Sequence, residues 1–141
     1  VGKPTVLNFF VKRALNNEPL TVYEPGTQAR NFIHVKDVAI AYVRSTERLL
    51  SQLRRGETGT ETYEIASDES MSVMSIAEIV REIAAEEFDM DVQIELVENP
   101  RSDETMVEEF SVDTSKARET LGWTPQKDLR ESVSKLLSQN R

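Results

Sequence analysis

The sequence predicts one mixed α/β domain in which helices slightly dominate. Three observations point there. Apolar residues recur at three- and four-residue intervals in several separate runs, as on one face of a helix. One short run, Val92 to Val97, alternates instead, setting Val92, Ile94 and Leu96 against Gln93 and Glu95, as a half-buried strand does. Turn-forming clusters such as Glu24-Pro25-Gly26-Thr27 break the chain between runs. At 141 residues the chain is long enough to bury a core.

The elements follow in order. Pro4 suits the first position of a helix, where a missing amide costs nothing. Val6, Leu7, Phe10, Val11, Ala14 and Leu15 form that helix's apolar stripe, and Asn16-Asn17-Glu18-Pro19 ends it. Leu20 to Tyr23 reads as a strand, residues 24–27 as a turn, and Asn31 to Val35 as a second strand. Asp37 is a suitable N-cap for a helix whose face carries Val38, Ala41, Tyr42, Ser45 and Leu49. A polar loop from Arg54 to Thr62 leads to a short strand from Thr62 to Ala66. Ser75 and Glu78 have the spacing of a capping box, with Ile76, Ile79, Val80 and Ile83 behind it. After the alternating strand, residues 99–109 read as a polar loop and Phe110-Ser111-Val112 as a short extended piece. Asp113 caps a short helix that stops at Gly122, and Trp123-Thr124-Pro125 connects onward. Asp128 and Glu131 open a last helix that turns Leu129, Val133, Leu136 and Leu137 inward.

Composition excludes several functions. There are no cysteines, so disulfides, thiolate catalysis and thiolate zinc sites are out, which fits a cytoplasmic protein. A single histidine, His34, leaves no basis for a histidine-rich metal site. With 25 acids against 17 bases the net charge is −8, which argues against nucleic acid and anionic membranes as partners. No apolar run approaches the ~18 residues of a membrane span, and no basic-then-apolar leader is visible. The chain opens at Val1-Gly2-Lys3-Pro4 without a methionine, which reads as a fragment whose upstream part is unseen.

Self-contained catalysis finds no support. Serine, histidine and aspartate occur, but His34 lies in Phe32-Ile33-His34-Val35, where a strand runs into a helix cap, and reads as structural. Neither a nucleophile elbow, nor a zinc-protease pair, nor a glycine-rich phosphate loop is present. Glu86-Glu87 and Glu108-Glu109 are sequence neighbours whose side chains diverge, as on a solvated face. The informative stretch is 23–39. Arg30 follows a glycine turn and enters a strand, where its planar fork can meet phosphate oxygens two at a time. Tyr23 precedes the turn, where its ring can stack on a nucleobase. Local physics leaves two readings open: a phosphate site, or a surface arginine beside a core tyrosine.

The same stretch, Gly26-Thr27-Gln28-Ala29-Arg30-Asn31-Phe32-Ile33-His34-Val35-Lys36-Asp37-Val38-Ala39, resembles the GxGxQxRDFIHVDDVA block of the extended short-chain dehydrogenases/reductases. Tyr63-Glu64-Ile65-Ala66-Ser67 resembles that family's YNIGS strand, and Ser75 to Ile79 its SIxEL helix start. Residues 113–125 resemble its DxSKAxxxLGWxP ending. Four blocks in order span almost the whole chain.

The resemblance implies a mixed α/β substrate-binding domain that lacks most of the Rossmann domain, with residues 1–141 as the carboxyl-terminal nucleotide-sugar-binding region. It implies an NAD-dependent enzyme, with NADP not excluded, acting on a nucleotide sugar. A UDP-sugar 4-epimerase is the first choice, with dehydratase, decarboxylase and keto-sugar reductase as alternatives. By resemblance Tyr23 packs on the base, Arg30 contacts the diphosphate, Val6 and Leu7 line the nucleotide pocket, and Arg101 is a second diphosphate arginine. Residues 37–66 would pack on the Rossmann domain, and a homodimer is possible in such a family. The departures are Asn31 where the family has aspartate, Glu24-Pro25 before the turn glycine, and Ser102-Asp103-Glu104 after Arg101. The family's catalytic Tyr-x-x-x-Lys is not in this chain: Tyr23, Tyr42 and Tyr63 are followed at that spacing by Thr27, Thr46 and Ser67. No catalytic residue, cofactor-binding residue or metal ligand is therefore expected here. A relative that has lost its chemistry and serves as a binding or scaffold protein is the second function class.

Overall fold

The computed structural model describes residues 5–101 and 111–141. Its first helix, α1 (Val6–Leu15), is capped by Thr5, whose hydroxyl accepts the Asn8 amide at 3.4 Å. The helix therefore starts after Pro4, which lies outside the described residues. Phe10, Val11 and Ala14 form its buried face, as the spacing predicts. β1 (Leu20–Tyr23) has the predicted bounds. It pairs in parallel with β4 (Ile94–Val97), in the register Leu20↔Ile94 to Tyr23↔Val97. Between them the chain makes a second two-stranded sheet, β2 (Ala29–Asn31) antiparallel to β3 (Ser70–Ser72), and the helices α2 (Val35–Arg54) and α3 (Val73–Phe88). α4 (Ser115–Leu121) and α5 (Leu129–Gln139) complete the order.

The main core sits where α1, α3 and α5 close over β1. Phe10, Leu20, Val22, Ile76, Val80, Val133 and Leu137 are buried there. Removing this apolar surface from water is the dominant stabilising term. A second, smaller cluster holds Ala41 of α2 against Ala117, Leu121 and Trp123. The two are joined through Asp37. Its carboxylate is buried and accepts the backbone amides of Gln126 and Lys127, each at 3.0 Å. Its carbonyl accepts the Trp123 indole N–H at 2.9 Å.

That arrangement corrects the expected cap of α2. The helix begins at Val35 with His34 as N-cap, whose Nδ1 accepts the Lys36 amide at 3.0 Å. Asp37 is drawn to the distant amides instead. The second strand is accordingly β2, ending at Asn31, rather than a run to Val35. The capping box also moves. Ser72, in extended conformation, caps α3 by accepting the Ser75 amide at 3.1 Å, so Ser75 falls inside the first turn and Glu78 is exposed. Residues 62–66 form no strand, because among the described residues no strand pairs with them. The expected loop at 99–109 and the extended piece at 110–112 fall largely outside the described residues; Ser111 and Val112 are irregular. At α4 the Asp113 carboxylate accepts the Ser115 amide at 2.9 Å, and Gly122 (φ 61°) closes the helix in the left-handed region. Asp128 caps α5 as predicted, accepting the Arg130 amide at 2.7 Å.

The expected stripe of α2 is only partly buried. Ala41 is enclosed, but Tyr42 is 73% exposed and Leu49 is open too. Ile40, Val43, Leu50 and Leu53 add further exposed apolar surface. Among the described residues nothing covers this face. No helix among them is long and apolar enough to cross a membrane.

Candidate functional site

The parallel pairing of β1 and β4 brings their carboxyl ends, Tyr23 and Val97, to the same edge. The Glu24 amide extends the ladder by donating to the Val97 carbonyl at 2.9 Å. Crevices beyond the carboxyl ends of parallel strands are where α/β folds hold ligands. Tyr23 stands at that edge with 51% of its surface exposed, so it is not a core tyrosine. Arg101 follows β4 at the same end; its amide donates to the Asn99 side chain at 2.9 Å, and the residue is exposed.

The turn after Tyr23 is fixed rather than loose. Gly26 has φ +80°, and a Cβ there would meet Val22 Cγ1 at 3.0 Å and Met74 Cβ at 3.4 Å, so glycine serves both the backbone and the close approach. The Gly26 carbonyl accepts the Met74 amide at 3.0 Å, and the Gln28 carbonyl accepts the Val73 amide at 3.1 Å. The start of α3 thus anchors the segment that leads into β2.

Arg30 sits in the middle of β2, exposed. Its Nη1 donates to the Ala29 carbonyl at 2.9 Å, and no carboxylate pairs with it among the described residues. Next to it, Asn31 is fully engaged: Nδ2 donates to the Ser67 carbonyl and the Ser70 hydroxyl, each at 2.9 Å, while Oδ1 accepts the Ser67 amide at 3.2 Å. That explains the departure from aspartate, since a carboxylate could not donate to Ser67. The Ser67 hydroxyl also bonds the Phe32 carbonyl.

Val6 and Leu7 are half-buried and pack against the main core. Leu7 also lines a cavity of about 540 Å³ with Phe32, Ile33, His34, Glu69 and Lys135. Tyr23, Arg30 and Arg101 do not border it, so Leu7 is set apart from these three. Burial pushes the Glu69 carboxyl above its ordinary range, aided by Asp128 and Asp68, while the Leu129 amide opposes the shift. No cluster of metal-ligating side chains occurs among the described residues.

Sequence reasoning passed over Gln28. It is only 8% exposed, and its Oε1 is buried without a hydrogen-bond partner. Its signals were its place two residues before Arg30 and its match to the glutamine of the family block.

The family model described as GDP-mannose 4,6 dehydratase matches residues 3–136. The chain belongs to that family. The match confirms the resemblance to the nucleotide-sugar epimerases and dehydratases among the extended short-chain dehydrogenases/reductases. Among curated relatives, the chain is 34% identical over 128 residues to UDP-glucuronic acid decarboxylase 6 of Arabidopsis thaliana, covering 91% of this chain and 33% of that protein. It is 36% identical over 131 residues to UDP-sulfoquinovose synthase of Sulfolobus acidocaldarius, covering 92% and 30%. The chain thus spans about a third of the length of these relatives. The fold is shared with the crystal structure of UDP-glucose 4-epimerase with UDP-glucose from Thermotoga maritima, at a TM-score of 0.73 and 22% identity, over 99% of this chain and 40% of that one. The mixed α/β class expected for this part of the family is therefore the observed one.

Proposed function

We propose that this chain is the nucleotide-sugar-binding part of an NAD-dependent epimerase/dehydratase, with a UDP-sugar as substrate and a 4-epimerase as the first choice of reaction. The observation that carries the reading is Arg30, an exposed guanidinium with no carboxylate partner among the described residues, on the strand that follows the anchored turn after the exposed Tyr23. In this reading Arg30, with Arg101 as a second cation, neutralises the diphosphate. Tyr23 packs on the base. The relatives' names, a UDP-glucuronic acid decarboxylase and a UDP-sulfoquinovose synthase, have UDP and not the reaction in common, which supports assigning the nucleotide end to the part this chain matches.

The chain's share of catalysis is positioning. Binding energy from the nucleotide orients the distant sugar ring for chemistry carried out elsewhere in the enzyme. The residues present do not fit the cofactor: no Gly-x-Gly-x-x-Gly occurs, and the described glycines with positive φ (Gly26, Gly56, Gly59 and Gly122) are not grouped into a phosphate cradle in the sequence. NAD therefore belongs, in this proposal, to an amino-terminal Rossmann domain outside the chain. The same domain is the proposed cover for residues 37–66, whose helix leaves Tyr42 and Leu53 open and whose residues 62–66 lack a strand partner.

Calorimetric titration of UDP and a UDP-sugar into the full-length protein tests the reading, with Arg30→Ala as control. Arg30→Ala is expected to weaken substrate binding by more than about 1.4 kcal/mol, roughly tenfold, and to leave NAD binding unchanged. Equal losses for substrate and cofactor, or no binding of any nucleoside diphosphate, would remove it.

A further inference from the structure

We propose that Glu69 is a positioning residue for Arg30: its carboxylate fastens the far end of β2 to α5 and so fixes where the guanidinium meets its ligand. The inference rests on the role proposed for Arg30 and deepens it.

Arg30 sits on β2, a strand of three residues whose partner among the described residues is β3, also of three. A two-stranded ribbon is marginal by itself, so its direction depends on what holds its two ends. The turn end is held by the start of α3, through the Gly26–Met74 and Gln28–Val73 backbone bonds. The other end is laced chiefly to itself. Asn31 grips Ser67, the Ser67 hydroxyl bonds the Phe32 carbonyl, and the Phe32 amide donates to the Glu69 carbonyl at 3.2 Å. These bonds make β2 and residues 67–69 one unit, but none of them reaches a helix.

Two side chains tie that unit outward. Asp68 pairs with Arg118 of α4 at 2.8 Å, but its side chain is 77% exposed, and an exposed pair contributes little. Glu69 is the stronger tie. Both of its carboxylate oxygens accept the Leu129 amide, at 3.1 and 3.0 Å, in the first turn of α5. That helix end carries partial positive charge, and Leu129 itself is buried in the main core. Packing does not replace the tie. Phe32 and Ile33 each pack against a core cluster, but both also line the cavity that Glu69 and Leu129 border. A strand end over a cavity can shift where one in a filled core cannot. Glu69 thus continues the ladder with β2 through its carbonyl and fastens it to α5 through its carboxylate. A guanidinium fork makes two parallel bonds to phosphate in one orientation only, so a small shift of the strand costs affinity.

A double-mutant cycle in the full-length protein tests this, with UDP titrated calorimetrically into the parent, Glu69→Ala, Arg30→Ala and the double variant. Glu69→Ala is expected to lose about tenfold in UDP affinity, within the range of coupling between interacting residues, and to bind NAD as the parent does. In the Arg30→Ala background the same change should cost nothing further, because the residue it positions is gone. Glu69→Gln, which keeps the acceptor, should restore the parent's UDP affinity. Losses that multiply independently in the double variant, equal losses for UDP and NAD, a Glu69→Gln protein as weak as Glu69→Ala, or an unchanged UDP affinity in Glu69→Ala would each overturn the proposal. If Glu69→Ala does not fold, Glu69→Met, which keeps the length of the side chain and removes the acceptor, takes its place in the cycle. Failure of the underlying reading looks different: the parent binds no UDP, or Arg30→Ala binds it as the parent does.

Discussion

The Asn31 side chain grips Ser67 from both sides, Nδ2 donating to the Ser67 carbonyl at 2.9 Å and Oδ1 accepting the Ser67 amide at 3.2 Å. This pair ties β2, and with it Arg30, to the segment that leads into β3. Asn31→Asp, which restores the residue usual in the family, keeps the acceptor and loses the donor. It also sets a carboxylate against the Ser67 carbonyl. Urea unfolding should show a loss of about 1–3 kcal/mol. A variant as stable as the parent would mean that the donor half of the grip contributes nothing.

Asp37 does for the second cluster what Asn31 does for β2. Its carboxylate holds the amides of Gln126 and Lys127, and the carbonyl of the same residue holds Trp123. Asp37→Ala strands two amides and should cost about 2–6 kcal/mol, since each unsatisfied group costs about 1–3 kcal/mol. Trp123 is the only tryptophan, so its emission reports this cluster directly. A red shift in Asp37→Ala before global unfolding is expected; emission and stability both unchanged would show that the tie is dispensable.

These ties also show what the sequence could reveal. Periodicity located the buried faces of α1, α3 and α5, because Phe10, Ile76 and Val133 are placed by local spacing alone. β3 was invisible: Ser70-Met71-Ser72 is too short to show a period and is a strand only through its ladder with Ala29–Asn31. The cap of α2 was misplaced because a local preference at Asp37 lost to two amides some ninety residues away. At the site, Tyr23 and Arg30 could be read from the turn between them. The unpartnered burial of the Gln28 side chain could not, since burial exists only in three dimensions.

Glu69 gives a pH dependence with a definite sign. Burial, Asp128 and Asp68 raise its folded pKa above the ordinary value of 4.5. The folded state then holds the proton more tightly than the unfolded state. Its stabilising effect is full below the unfolded pKa and is lost as pH rises through the folded one. Glu69→Gln keeps an acceptor for the Leu129 amide and cannot ionise. The melting temperature of Glu69→Gln relative to the parent should therefore rise as pH climbs from about 4 to neutrality, then level off. Taking the difference removes other titrations, such as that of Glu61, which Arg48 holds down at about 2. Parallel profiles for the two proteins would refute the assignment.

The exposed face of α2 predicts how the 141-residue chain behaves alone. Tyr42 and Leu53 are 73% and 61% exposed, and Ile40, Val43, Leu49 and Leu50 broaden the surface beyond scattered single residues. A contiguous apolar patch on a soluble chain drives association or marks an interface. Expressed by itself, the chain should bind a dye that reports hydrophobic surface and should elute as dimers or larger species. Tyr42→Glu with Leu53→Glu should reduce both signals without unfolding the chain, because neither side chain belongs to either core cluster. In the full-length protein the same double change should instead lower the melting temperature, since the proposed amino-terminal domain then faces two buried carboxylates. A monodisperse parent chain that binds no dye would contradict the first expectation. Full-length protein indifferent to the charges would show that this face has no cover, and the packing proposed for residues 37–66 would fall with it.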